Sequence, residues 1–218
     1  MPVSAVIFDV GGVVRESALP ILREFERSHG LPSEFISLVV GKALTRANGP
    51  QQRLEKGEIL LDEFCRVFDG EFSTQGHSLS TAEVMLEMSR NMRERPVVLN
   101  AVDRLRKAGI KVAALTNTWK TGESESEEQA ALKARFDLYV ESCAEGLRKP
   151  DPALLKRVCE LLETNADEIA YLDELGKNLK PAAKLGMTTI KVEAIDTALA
   201  ELTALTSISF EPGEEGDE

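Results

Sequence analysis

The sequence predicts an α/β protein, a doubly wound parallel sheet with a small all-helical segment inserted after the first strand. Three observations carry this. Short apolar runs recur along the chain, and several end on a polar or acidic residue. Helical periodicity fills the gaps between those runs. Residues 17–92 hold helical patterns with no convincing strand. Strands that alternate with helices form βαβ units, which leads to a parallel sheet covered on both faces.

The first run, Ala5-Val6-Ile7-Phe8, ends at Asp9, and the paired glycines Gly11-Gly12 mark a tight turn leaving the strand. The inserted segment offers a first helix over 20–27 closed by Gly30, a second capped by Ser33, and two more over 60–68 and 81–92. Its apolar stripes are Leu22 and Phe25, then Phe64, Val67 and Phe68, then Val84, Met85 and Met88. They read as a small core rather than a ligand surface. Helical patterning resumes over 96–108, with Pro96 at its start and Gly109 just past its end. Strand two follows at 111–115, leading into Thr116-Asn117, and strand three at 136–140, leading into Glu141-Ser142-Cys143. A helix over 152–162 precedes strand four at 169–172, which runs into Asp173-Glu174. A helix over 179–185 stops at Gly186, and strand five covers 188–192. Residues 121–128 read as a solvated Gly/Ser/Glu loop and 211–218 as a disordered acidic tail.

At 218 residues the chain has length for a core with a small accessory domain. The divisions expected are 1–16 with 93–210 for the α/β core, 17–92 for the helical insertion and 211–218 for the tail. A net charge of −11 argues against a nucleic-acid partner and against docking on anionic membranes. An anionic substrate stays compatible, because a metal and one lysine reverse the field inside a cleft. The three cysteines form no CxxC pair, so they suggest neither a zinc site nor a disulfide framework. The first residues have no basic n-region, and Asp9 interrupts their apolar run, unlike a signal peptide. A reducing, cytoplasmic location fits. The oligomeric state is open, a homodimer included.

Chemistry concentrates where a doubly wound sheet puts its ligand, beyond the carboxyl ends of the strands. Asp9, Thr116 and Asp173 each follow directly on a strand, and Lys149 lies in the stretch Arg148-Lys149-Pro150-Asp151-Pro152. A lone acid after a strand is an ordinary turn residue or helix cap. Three polar residues at equivalent strand ends, joined by a lysine, point instead to a site.

Four ordered segments, FDVGGVV at 8–14, LTNTW at 115–119, LRKPDP at 147–152 and YLDELGKNLKPAAKLGM at 171–187, resemble the motifs of the haloacid dehalogenase superfamily of aspartate-nucleophile hydrolases. TNTW, ESC at 141–143 and DELGKNLKPAAKLGM look most like the branch that holds the phosphatase domain of soluble epoxide hydrolase and the N-terminal region of acyl-CoA dehydrogenase family member 10. The resemblance implies a Rossmann-like core, with the helical insertion as its cap. It implies a phosphatase of a small metabolite or lipid phosphate, with Asp9 as nucleophile forming an aspartyl-phosphate. Mg²⁺ would be held by Asp9, the backbone carbonyl of Gly11, Asp173 and, through water, Glu174. Thr116 and the backbone N–H of Asn117 would bind phosphoryl oxygens, and Lys149 would neutralise them. Asn178 matches a position near the site; a helix N-cap is its other reading. Trp119 either stacks on substrate or packs its loop. The resemblance also implies a cis Lys149–Pro150 bond.

Gly11 departs from the pattern. Phosphatases of the family carry an aspartate two residues beyond the nucleophile, which protonates the leaving group and then activates water. Without it, activity is expected to favour leaving groups of low pKa, such as acyl, aryl or anomeric phosphates. Glu16 is a candidate donor of the missing proton. Two further readings stand beside this one, a phosphate-binding protein of the same fold without turnover and a metal-free haloacid dehalogenase.

Overall fold

The computed structural model describes residues 2–44, 48–120 and 125–210. One five-stranded sheet has the order β3-β2-β1-β4-β5. Its strands are β1 Ala5–Asp9, β2 Lys111–Thr116, β3 Leu138–Glu141, β4 Ile169–Asp173 and β5 Thr188–Lys191, and every pairing is parallel. All of β1 is buried, which is why its run is continuously apolar instead of alternating. Val6 and Phe8 pack on the side of α6 (Pro96–Lys107) and α11 (Ile195–Thr206). Ala5 and Ile7 face the opposite side, against α9 (Pro152–Leu162) and α10 (Gly176–Lys184). The chain steps outward from β1 in both directions, to β2 and β3 and to β4 and β5. The crevice beyond the carboxyl ends therefore opens at β1, and the register sets Asp9 beside Leu115, one residue before Thr116.

Between β1 and α6 lie α1 Ala18–Ser28, α2 Phe35–Leu44, α3 Pro50–Glu55, α4 Leu61–Thr74 and α5 Thr81–Asn91. They enclose a hydrophobic cluster of their own, including Phe25, Ile36, Leu54, Phe64, Phe68, Phe72 and Val84. The two linkers into and out of this segment are fastened side by side. Glu16 N donates to Arg93 O at 2.9 Å and Arg95 N to Val14 O at 2.8 Å.

Several expectations are corrected. Val67 is 37% exposed and lies outside the helical core. Ser33 does not start α2. The buried Glu26 carboxylate takes the N–H groups of Glu34 and Ile36, each at 2.8 Å, and serves the donors at that helix end from across a loop. The third strand begins at Leu138, because Phe136 turns into the core beside Leu132. Asn178 lies inside α10 and is no N-cap. The loop expected over 121–128 gives way to α7 (Glu127–Lys133), whose N-cap Ser126 accepts from Gln129 N; 121–124 and the tail 211–218 fall outside the described residues. α3, α8 (Ser142–Glu145) and α11 have no counterpart in the sequence reading. The cysteines are free thiols. No helix among the described residues is long and apolar enough to cross a membrane.

Candidate active site

The strand tips converge on one lysine. Lys149 Nζ lies 2.6 Å from Asp9 Oδ1 and 3.1 Å from Asp173 Oδ2, and it donates to Leu115 O at 3.3 Å. Its three protons thus find three acceptors, and side chains 9, 149 and 173 are all at least nine-tenths buried. Burial alone would discharge such a lysine. The carboxylates of Asp9 and Asp173 outweigh it and hold the ammonium above its ordinary pKa. Asp9 is the strained partner. Desolvation and, less strongly, repulsion from Asp173 outweigh the pull of Lys149 and raise its carboxyl to about 7.

Asp173 is saturated with donors. Oδ1 accepts from Leu175 N at 2.8 Å and Asn178 Nδ2 at 3.0 Å. Oδ2 accepts from Asn178 Nδ2 at 2.9 Å, from Lys149, and from the hydroxyl of the buried Tyr171. Asn178 therefore belongs to the site, as a support for Asp173, and its own Oδ1 is buried without a partner. As a metal ligand Asp173 would have to exchange one of these donors.

The turn after β1 is held from the far side. Arg95 Nη1 binds the carbonyls of Gly12, Arg15 and Val13 at 2.7, 3.1 and 3.2 Å. Gly12 has φ +81°, and a Cβ there would fall on the Glu174 carboxyl carbon. A glycine at this point thus solves two problems, the left-handed backbone and the room for an acid. Burial pushes the Glu174 carboxyl up, against the pull of the Ser17 hydroxyl, Arg95 and Lys149. Gly11 differs. Its φ of −72° and ψ of 125° suit any residue, and a Cβ would meet only Met92 Cε, at 3.9 Å.

The hard oxygens of Asp9 and Glu174 and the Gly11 carbonyl are the donor types that suit Mg²⁺; the carbonyls of Gly12, Val13 and Arg15 are taken by Arg95. The cradle left by Gly12, filled by Glu174, fits a cation held here. Among the described residues no group of three or more His, Cys, Asp or Glu side chains gathers to hold a metal ion, so a cation here would draw on a backbone carbonyl and water beside one or two carboxylates.

Thr116 ends β2, buried, at the strand tip beside Asp9. Asn117 does something the sequence did not suggest. Its Oδ1 accepts the Lys149 N–H at 2.8 Å and its Nδ2 donates to the Lys149 carbonyl at 3.2 Å, bracketing the lysine's own backbone. The Lys149–Pro150 bond is cis. Trp119 packs against the core of the helical segment. Glu16 is exposed, with only its backbone N–H bonded to Arg93.

Two of the overlooked contributors carried a signal. Tyr171 is two residues before Asp173 on one strand, so both side chains share a face. Arg95 precedes Pro96 at the helix start, where the returning linker had to pass the first turn. Glu55, by contrast, reaches Arg148 and Asn117 from the end of α3, and neither that contact nor the side-chain role of Asn117, in place of the expected backbone N–H, leaves a local pattern.

A family model described as haloacid dehalogenase-like hydrolase matches residues 3–186. The chain belongs to that family. It is 36% identical over 214 residues to acyl-CoA dehydrogenase family member 10 of Mus musculus, covering 96% of this chain and 20% of that protein. It is 32% identical over 228 residues to bifunctional epoxide hydrolase 2 of Rattus norvegicus, covering 96% of this chain and 40% of that protein. The chain thus spans well under half the length of either relative. A HAD family enzyme of Bacteroides thetaiotaomicron, solved in complex with magnesium and inorganic phosphate, aligns with a TM-score of 0.61 at 20% identity, over 88% of this chain and 95% of that one. Dehalogenases share the fold as well. A shallow groove at the opposite, amino end of β2 and β3, lined by Arg106, Lys111, Asp137 and Leu162, is not part of this constellation. Arg106 there pairs with Asp137 at 2.9 Å.

Proposed function

We propose that this HAD-like hydrolase is a Mg²⁺-dependent phosphatase of a small metabolite or lipid phosphate, with the helical segment 17–92 as its cap. The observation that carries the reading is the buried Asp9–Lys149–Asp173 cluster, in which one ammonium is shared by two carboxylates at adjacent strand tips. Such a cluster holds a net negative charge unless a proton or a cation joins it, and it places a carboxylate nucleophile beside a fixed positive charge.

Asp9 attacks phosphorus. An Asp9 Oδ–P bond forms as the bond from phosphorus to the leaving oxygen breaks, and the leaving group departs with the electron pair. Water then attacks phosphorus, the Oδ–P bond breaks, and inorganic phosphate and the Asp9 carboxylate are released; the proton that the water loses passes to solvent, from which the departed oxyanion takes one. Lys149 stays protonated throughout and faces the charge on the phosphoryl oxygens, assisted by Thr116. Asp173 and Asn117 keep Lys149 in place. Asp9, the Gly11 carbonyl and Glu174 would hold Mg²⁺, with Asp173 beside them; bound there, the ion supplies charge neutralisation for the phosphoryl group and for the crowded acids.

No side chain at Gly11 protonates the leaving oxygen. Substrates with leaving groups of low pKa are therefore favoured over plain alkyl phosphates. Release of p-nitrophenol from p-nitrophenyl phosphate, with Mg²⁺ or with EDTA, tests the reading against an Asp9→Asn control. Equal rates for the two proteins would leave phosphate binding without turnover. Halide release from a 2-chloro acid that persists in EDTA would move the function to dehalogenation.

A further inference from the structure

Glu55 ends α3, inside the helical segment, yet its carboxylate is spent on the α/β core. Oε2 pairs with Arg148 Nε and accepts from Asn117 Nδ2 at 3.2 Å. Oε1 accepts from Gln51 Nε2 at 2.8 Å, and the Glu55 backbone carbonyl accepts from Ser142 Oγ at 2.6 Å. Ser142 Oγ in turn receives Thr118 N at 3.0 Å. Only 5% of Glu55 is exposed. Just beyond it, Gly57 at φ +70° seats directly on α8, where a Cβ would lie 2.5 Å from Cys143 O. One buried acid of the insertion therefore reaches residues 117, 142 and 148, all beyond the carboxyl ends of β2 and β3.

We propose that Glu55 is a positioning residue through which the helical segment sets Lys149. Glu55 fixes the amide of Asn117, and Asn117 brackets the Lys149 backbone from both sides. Arg148, bonded to the same oxygen, anchors the lysine's other neighbour. Loss of the side-chain oxygen leaves the Arg148 guanidinium, 14% exposed, without its acceptor and frees Asn117 to follow its loop. Lys149 then shifts relative to Asp9, and a misplacement of about 1 Å at a reacting centre costs ~10²-fold in rate.

The protein contains a single tryptophan, Trp119, two residues from Asn117, which makes it a reporter of this loop independent of activity. The test compares wild type with Glu55→Ala, Glu55→Asp and Glu55→Gln as full chains, each checked by thermal unfolding. Glutamine keeps one oxygen for Arg148 and Asn117 and turns its amide to Gln51, whose own amide can rotate to accept. It should hold Trp119 emission and stay within about threefold in kcat. Alanine should shift the emission to the red, raise iodide quenching and lower kcat for p-nitrophenyl phosphate by ~10–100-fold, with KM moved less. Aspartate, charged but one methylene short, should show the same changes in smaller measure and serves if alanine fails to fold. Unchanged emission in alanine and aspartate overturns the proposal, as does a loss in glutamine equal to that in alanine. The effect on rate rests on the phosphatase reading. If wild type itself does not turn over, that reading fails while Trp119 emission still decides the role of Glu55.

Discussion

Lys149 Nζ lies 2.6 Å from Asp9 Oδ1, both side chains more than nine-tenths buried, and its second contact, Asp173 Oδ2, is 3.1 Å away. Two acids therefore share one base. Replacing Lys149 by methionine keeps the bulk and removes the charge that makes this arrangement tolerable. Removing one partner of a buried pair costs ~3–5 kcal/mol. Lys149→Met should lose that much stability at neutral pH by urea unfolding and lose turnover altogether. The stability loss should shrink toward pH 5, where Asp9 takes up a proton and its charge no longer needs an answer.

The same excess of acid predicts an unusual pH dependence in the metal-free protein. Burial raises the Asp9 pKa to about 7 in the fold, from 3.8 in a free chain. A raised folded pKa means that the fold binds the proton more tightly than the unfolded chain does. Its contribution to stability is complete below the unfolded value and is lost as pH rises through the folded one. Asp9→Asn removes the titration and leaves Lys149 paired with Asp173. In EDTA the variant should melt higher than wild type by ~5 °C at pH 8 and by clearly less at pH 5. A gap that is constant with pH would mean that Asp9 ionises normally. Excess Mg²⁺ should close the gap at pH 8.

The sheet was legible in the sequence because buried parallel strands leave continuous apolar runs, and Asp9, Thr116 and Asp173 were legible because strand ends mark the crevice. Lys149 was legible through its motif. What escaped acts across long separations. Glu55 binds Arg148 across 93 residues and Arg95 binds the Gly12 carbonyl across 83, and neither pairing leaves a periodic trace. The start of α2 failed for a related reason: Ser33 has the right chemistry for a cap, but a buried carboxylate from α1 supplies the acceptor.

Gly11 offers a gain-of-function test. The backbone there is ordinary, and the space beyond it holds only Met92 Cε at contact distance. With Mg²⁺ present to offset the added charge, Gly11→Asp should therefore fold with a stability change under about 1 kcal/mol. If the leaving group lacks only an acid, the variant gains general acid–base catalysis, worth ~10²–10⁴-fold where protonation limits the rate. The gain should be largest for alkyl phosphates and small for p-nitrophenyl phosphate, whose leaving group needs little help. A uniform change across leaving groups would show that proton transfer is not what the glycine removes.

Gly12 is the opposite case, since its missing side chain is already replaced by the Glu174 carboxylate. Gly12→Ala strains a backbone at φ +81°, for ~1–2 kcal/mol, and pushes Glu174 out of its place. The acid is the free end of a flexible side chain, so the fold survives. The cost should fall on the cation, with Mg²⁺ affinity reduced at least about tenfold in a thermal-shift titration. Glu174→Ala should lose a similar factor with less strain. If the two residues act on the cation as one unit, the double variant binds Mg²⁺ no worse than Gly12→Ala alone. Additive losses would separate them, with Glu174 acting on the ion by itself and Gly12 acting through the path of the backbone.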